Sequence, residues 1–291
     1  MQSRELTRVL AVHKWWSAGQ LAKIEWAKSI MIGKGAKLPR TAQRNAHDTS
    51  SMGWWDAYRR ATMLEPLAAD IFRSGVEGDF AECGVFRGGI SLVMAVMLKA
   101  AGHFAHGRRM WLADAFAAGM PPLSYTKHLL AQHNLTGVGY RGNVWAGAFT
   151  DSGGTVNAVS RALATHLNLT TAPGVSGSAR QALEATGVYL LPGYLGRTLP
   201  TASITRLSLL RVDVDGFAGT YEALQYLYPR LSVGGYAVFD DWKIYQSQQA
   251  VLQFRKERNI TTPIFASRRA YLPPMQTIDC MAYWRKHPAT G

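Results

Sequence analysis

Cysteine is scarce in this chain, and long apolar runs are missing. Two cysteines among 291 residues, Cys83 and Cys280, provide neither a disulfide framework nor a CxxC metal motif. No stretch reaches the ~20 apolar residues that a membrane-spanning helix needs. Residues 1–8 lack the apolar segment and the cleavage site of a secretory signal. These absences predict a cytoplasmic protein with no membrane span.

Acidic residues are few relative to basic ones, which gives a formal net charge of +13. Residues 1–50 hold nine Lys and Arg against three Asp and Glu, and residues 253–291 hold seven against two. The middle of the chain is therefore close to neutral. Because no recognisable nucleic-acid motif accompanies the basic ends, nucleic acid is not the expected partner.

The N-terminal part of the chain differs from the remainder. Residues 3–32 carry leucines and isoleucines at near-helical spacing, together with three tryptophans. They predict a helical arm that either packs on the core or serves as a lid or a homo-oligomer contact. Residues 33–53, with scattered Gly, Pro, Asn and Ser, predict a linker. We therefore divide the chain into an arm and linker over residues 1–53 and one α/β domain over residues 54–291.

From Asp79 onward, predicted strands and helices alternate along the chain. Strands joined by helices pair in parallel through right-handed crossovers. We expect an open, doubly wound, mostly parallel sheet with helices on both faces, and ligands beyond the carboxyl ends of the strands. The predicted strands are Asp79–Val85, Arg109–Phe116, Val188–Leu191, Leu207–Asp215 and Gly234–Asp241, with a final antiparallel pair at Pro263–Ala266 and Cys280–Arg285. The predicted helices are Gly88–Ala101, Val156–Leu167, Ala179–Ala185, Thr220–Leu231 and Gln246–Asn259.

The first chemical motif is a strand that enters a glycine-rich turn and then a helix. Glu82 precedes Gly84, and the dinucleotide signature GxGxxG is absent. An acid at this position would repel a pyrophosphate. It can instead accept a hydrogen bond from the amino group or a hydroxyl of a nucleoside–amino-acid cofactor. Asp114 ends the next strand, where an acid accepts hydrogen bonds from ribose hydroxyls. Either feature alone fits a structural turn or a helix cap, whereas the pair favours a nucleoside.

The second motif consists of two apolar strands that each end in two acids. Asp213 and Asp215 end one strand, and Asp240 and Asp241 end the next. Four neighbouring carboxylates would raise one another's pKa, and a hard divalent cation such as Mg²⁺ would relieve that repulsion. The alternation of a strand is expected to send Asp213 and Asp215 to the same side, with Asp215 nearer the rim.

A nucleoside–amino-acid cofactor beside a divalent metal suggests methyl transfer to oxygen. The metal would orient an acceptor hydroxyl and lower its pKa. A carboxylate that is not fully committed to the metal would accept the proton. The oxyanion would then attack the methyl group in line, so much of the catalysis would come from positioning.

At these segments the chain resembles the macrocin O-methyltransferase family, which methylates sugar hydroxyls on antibiotics with S-adenosylmethionine and Mg²⁺. The resemblance implies a class I methyltransferase (Rossmann-like) fold with an N-terminal helical extension. It also implies that Glu82, Gly84 and Asp114 hold the cofactor. Asp213, Asp240 and Asp241 would bind the metal, and Asp215 would be the general base. The matching stretches include GDFAECGVFRGG (78–89), WLADAF (111–116), LLPGYLGRTLP (190–200) and LLRVDVDGFAGTYEALQYLYPRLSVGGYAVFDDW (209–242).

The chain departs from the family pattern at several positions. Ala115 stands where the family usually has serine, and Phe217-Ala218-Gly219 replaces a Tyr-Glu-Ser run. Residues 120–187 match poorly. We expect a small-molecule hydroxyl acceptor, on a sugar or glycosylated compound. The alternatives are a catechol-type O-methyltransferase, a nucleic-acid methyltransferase and a non-catalytic relative.

Overall fold

The structure, a computed structural model, describes residues 15–32, 49–132, 154–169, 176–266 and 281–288. Within them, seven strands form one sheet in the order β3-β2-β1-β4-β5-β7-β6. Strands β1 to β5 are parallel, whereas β7 runs antiparallel to both β5 and β6. The strands are β1 (Asp79–Cys83), β2 (Met110–Asp114), β3 (Val188–Pro192), β4 (Leu207–Val212), β5 (Leu231–Phe239), β6 (Phe265–Ala266) and β7 (Ala282–Arg285).

Helices connect these strands and cover both faces of the sheet. The doubly wound α/β fold predicted from the sequence is therefore confirmed, including the final antiparallel pair, although Cys280 lies outside the described residues. The helices are α1 (Ala18–Ile32), α2 (Thr49–Arg73), α3 (Gly89–Ala100), α4 (Leu123–Gln132), α5 (Val156–His166), α6 (Ser176–Ala185), α7 (Leu195–Thr198), α8 (Phe217–Leu227) and α9 (Tyr245–Glu257).

The sheet separates two hydrophobic cores. In β1, Phe80 packs into the core beneath α1, α2, α3, α5 and α6. Its neighbours Ala81 and Cys83 pack into the core beneath α4, α7, α8 and α9. Because β1 is buried on both faces, its apolar residues Phe80, Ala81 and Cys83 serve both cores, and its charged residues are Asp79 and Glu82. No helix in the described ranges is long and apolar enough to cross a membrane.

The N-terminal helix packs on the core. Trp16, Ile24 and Ala27 are buried with it, and the buried Lys28 forms an ion pair with Glu65 of α2. Of the predicted linker, residues 33–48 lie outside the described residues, whereas residues 49–53 form the first part of α2. The division at residue 53, the homo-oligomer contact and the cytoplasmic location stay predictions.

Candidate active site

The carboxyl ends of β1 to β5 open into one cavity of about 530 Å³. This is the position at which doubly wound folds bind ligands. Six of the seven predicted site residues line the cavity, and Glu82 does not. The six are Gly84, Asp114, Asp213, Asp215, Asp240 and Asp241.

The glycine turn after β1 has a steric cause. Gly84 has a φ of +90°, and a Cβ there would lie 1.8 Å from the carbonyl oxygen of Asp213. Only glycine lets the turn pass so close to the end of β4. The Asp114 carboxylate accepts hydrogen bonds from the backbone N–H groups of Val85 and Phe86, the latter at 2.9 Å. Asp114 therefore fixes the shape of the turn while also lining the cavity.

Glu82 lies behind the cavity wall. It is 1% exposed, accepts a hydrogen bond from the Ser91 hydroxyl and forms an ion pair with Arg211. Burial raises the pKa of Glu82 to about 7, although Arg211 acts against that rise. Its predicted contact with a cofactor stays untested, and its geometry is that of a group that orients Arg211.

Arg211 connects the buried acids. This β4 residue is 1% exposed and contacts three carboxylates, those of Glu82, Asp213 (2.7 Å) and Asp240. This role of Arg211 was not predicted from the sequence. The signal was present, because Arg211 is the one charged residue in the apolar strand Leu207–Val212.

The strand that was predicted to continue to Asp215 is shorter in the structure, and Asp213 and Asp215 both line the cavity. Strand β4 ends at Val212, so alternation does not govern the residues that follow. Asp215 has a φ of +53°, and its backbone N–H donates to Oδ2 of Asp241 at 2.7 Å. The acids still converge, but they do so through two loops that are hydrogen-bonded to each other.

Two of the carboxylates beyond β4 and β5, those of Asp215 and Asp241, have a raised pKa to which neighbouring carboxylates contribute, in line with the sequence prediction. Burial, with Asp213 adding to it, raises the pKa of Asp215 to about 6. Burial also raises the pKa of Asp241, and both Asp213 and Asp215 contribute. Oδ1 of Asp240 is buried, and no described residue donates a hydrogen bond to it.

Two arginines supply positive charge at this end of the cavity. Besides Arg211, the Nη1 atom of Arg60 lies 3.6 Å from Oδ1 of Asp213 and 4.0 Å from Oδ2 of Asp240. In the part of the chain that the structure describes, no three His, Cys, Asp or Glu side chains are grouped as a metal site. The predicted metal site therefore rests on the chemistry of its donors.

Three further cavity residues, Arg60, Tyr125 and Tyr194, were not predicted from the sequence. Arg60 belongs to α2, which the sequence analysis left unassigned from residue 54. Tyr125 belongs to α4, in the weakly periodic region, and its hydroxyl donates to Glu222. Tyr194 follows β3 and also lines the cavity.

The fold and the position of the cavity are those of a Rossmann-like class I methyltransferase. The solved "Structure of the O-methyltransferase NovP" superimposes with a TM-score of 0.57 and 25% identity, over 79% of this chain and 81% of that one. The family model described as Macrocin-O-methyltransferase (TylF) matches residues 17–136 and 160–286. The chain belongs to this family, and this membership supports S-adenosylmethionine as the methyl donor.

Two curated relatives agree with that assignment. The 8-demethyl-8-(2,3-dimethoxy-alpha-L-rhamnosyl)-tetracenomycin-C 4'-O-methyltransferase of Streptomyces olivaceus is 33% identical over 71% of this chain and 69% of its own length. The mycinamicin III 3''-O-methyltransferase of Micromonospora griseorubida is 31% identical over 71% of each chain.

Proposed function

We propose that this enzyme transfers the methyl group of S-adenosylmethionine to a hydroxyl of a sugar or glycosylated small molecule, assisted by Mg²⁺. The observation that carries the proposal is a single cavity that contains the glycine turn, Asp114 and four carboxylates. A donor lying on the turn and Asp114 would direct its methyl group toward those carboxylates. The name of the Streptomyces olivaceus relative specifies a rhamnosyl-bearing compound, which supports a carbohydrate acceptor.

Gly84 and Asp114 are the proposed direct contacts of the donor. A volume of about 530 Å³ suits a small-molecule ligand, since such sites span roughly 300–1,000 Å³. The Asp114 carboxylate accepts backbone N–H groups of Val85 and Phe86 on Oδ2 and of Phe116 on Oδ1. One of its about four acceptor positions, on Oδ1, is therefore left for a ribose hydroxyl. Direct binding by Glu82 stays a prediction, whereas its contacts with Ser91 and Arg211 support an indirect role.

The donor atoms beyond β4 and β5 fit a hard divalent cation. They are carboxylate oxygens, which Mg²⁺ prefers, and a buried oxygen of Asp240 lacks a hydrogen-bond donor among the described residues. We propose that Asp213, Asp240 and Asp241 hold the ion. When bound, Mg²⁺ would supply Lewis-acid chemistry that lowers the pKa of an acceptor hydroxyl.

Asp215 is the proposed general base, because it lines the cavity beside the three proposed ligands. Its carboxylate takes the proton of the acceptor hydroxyl. The acceptor oxygen then bonds to the methyl carbon as the carbon–sulfur bond breaks, and the electron pair of that bond stays on sulfur. The products are the methyl ether and S-adenosylhomocysteine. Alignment of oxygen, carbon and sulfur supplies much of the rate.

Methyl transfer to a panel of acceptors tests the function. The enzyme would be incubated with S-adenosylmethionine, Mg²⁺ and either glycosylated small molecules or catechols, and the products analysed by mass spectrometry. We expect methylated sugars, loss of turnover in EDTA and recovery on adding Mg²⁺. Full turnover in EDTA would contradict a catalytic metal. Methylation of catechols alone would favour the catechol-type alternative.

A further inference from the structure

Three side chains close the end of the cavity next to β3. The rings of Tyr125 and Tyr194 have centroids 5.7 Å apart. Glu222 of α8 lies with them and is 4% exposed. All three line the catalytic cavity, and none has a part in the chemistry described above.

Two donors hold the Glu222 carboxylate in place. The Tyr125 hydroxyl donates to Oε1 at 2.5 Å, and the backbone N–H of Gly196 donates to Oε2 at 3.1 Å. Glu222 packs closely on Gly196, since a Cβ at that position would lie 2.3 Å from Oε1. An ionised carboxylate offers about four acceptor positions, so each oxygen keeps one for a ligand. Burial raises the pKa of Glu222 because it disfavours the charged carboxylate. A hydrogen bond donated by a ligand would stabilise that charged form.

The sheet order locates this group relative to the reaction. Neighbouring strands are ~4.8 Å apart, so β3 lies roughly 19 Å from β5, four strand positions away. Asp240 and Asp241 beyond β5 mark the reacting end, and Asp114 beyond β2 marks the ribose. A nucleoside that spans these two points has its base on the far side of β2, next to β3.

We propose that Glu222 recognises the adenine of the methyl donor by accepting a hydrogen bond from its exocyclic amino group, with the Tyr194 ring against the base. A base with an oxo group at this position would place an acceptor against an acceptor, and the buried carboxylate would go unpaired. Glu222 is thus a specificity-determining residue for the donor. The inference rests on S-adenosylmethionine as donor and is independent of the metal and the acceptor.

Calorimetry with two ligands tests this role. S-adenosylhomocysteine and S-inosylhomocysteine differ in carrying an amino or an oxo group on the base. The wild-type chain should bind the adenosyl compound on the order of tenfold to a hundredfold more tightly. Glu222→Gln should bring the two affinities within about threefold, since an amide both donates and accepts. Glu222→Asp keeps the negative charge, but its side chain is one methylene shorter. We therefore expect a smaller preference for the adenosyl compound, but not its complete loss.

A second Tyr–Glu pair provides a control. The Tyr221 hydroxyl donates to Oε2 of the exposed Glu257 at 2.6 Å, and neither residue lines the cavity. Glu257→Gln should keep the wild-type preference. An unchanged preference in folded Glu222→Gln would overturn the proposal, as would a change confined to the acceptor KM. If the wild-type chain binds neither ligand, S-adenosylmethionine is not the methyl donor, and the role of Glu222 is refuted as well.

Discussion

Two aspartates of this protein are almost completely buried, yet their surroundings differ. Asp70 of α2 is 0% exposed, and Asp240 after β5 is 1% exposed. Asp70 accepts hydrogen bonds from the Tyr236 hydroxyl at 2.8 Å and from Arg73 at 3.0 Å, one to each carboxylate oxygen. Asp240 contacts Arg211 through one oxygen, while the other has no donor among the described residues.

This difference separates a structural charge from a functional one. Buried polar groups are almost always hydrogen-bonded, because an unpaired one costs free energy. Asp70 obeys this rule within the fold and joins α2 to the sheet. One oxygen of Asp240 has no hydrogen-bond donor among the described residues, and Asp240 lines the catalytic cavity. A bound ligand or metal ion could therefore pair with this oxygen. The unsatisfied aspartate is therefore expected to act in catalysis and the satisfied one in stability.

The largest expected effect concerns Asp215, whose loop is hydrogen-bonded to the residue after Asp240. Asp215→Asn keeps size and hydrogen bonding but removes basicity, so we expect turnover to fall by ~10²–10⁴-fold. Single-turnover rates would measure the loss, and calorimetry should show normal cofactor and Mg²⁺ binding. Near-normal turnover would mean that the proton goes elsewhere. His128 is exposed on α4 and does not line the cavity, and His133 lies outside the described residues.

Asp240→Asn tests the comparison directly. Removing a charge from a proposed metal ligand should weaken Mg²⁺ binding by roughly 10–100-fold, by analogy with the loss of residues that support metal ligands. Turnover should recover in part at high Mg²⁺. The matched control is Asp70→Asn, an identical change at an equally buried site, which should leave the Mg²⁺ dependence unaltered. Equal Mg²⁺ titrations for the Asp240 variant and the wild type would refute a role as ligand.

The strands and their acidic ends could be predicted from the sequence, because both are encoded locally. An apolar run that stops at an acid, as at Asp114 or Asp240, needs no tertiary information to recognise. The helix Thr49–Arg73 was not recognised, and it contains Pro66, a residue that usually breaks helices. Its helical state depends on packing against the core, which local composition does not report.

The roles of individual acids were harder to predict than their positions. Glu82 precedes a glycine turn, which favoured a direct cofactor contact. Its partners, Ser91 and Arg211, come from a helix and a strand that meet it only in the fold. The strand before Asp213 was predicted to run to Asp215, but it ends at Val212. The point at which β4 ends depends on its pairing with β1 and β5, which the apolar pattern does not define.

Asp70→Asn is expected to have the smallest effect on catalysis. Its main effect should be on stability. The Tyr236 hydroxyl can still donate to the amide oxygen, but Arg73 and Arg285 lose their charged partner, whose Oδ2 lies 3.7 Å from Nη2 of Arg285. Because hydrogen bonds to buried charges contribute modestly but are costly to break, we expect a loss of about 1–3 kcal/mol in the free energy of unfolding. Urea denaturation followed by circular dichroism measures it, with kcat and KM determined at a temperature where the variant is folded. Normal stability combined with impaired turnover would show that the satisfied aspartate also serves the reaction, and would break the distinction between the two sites.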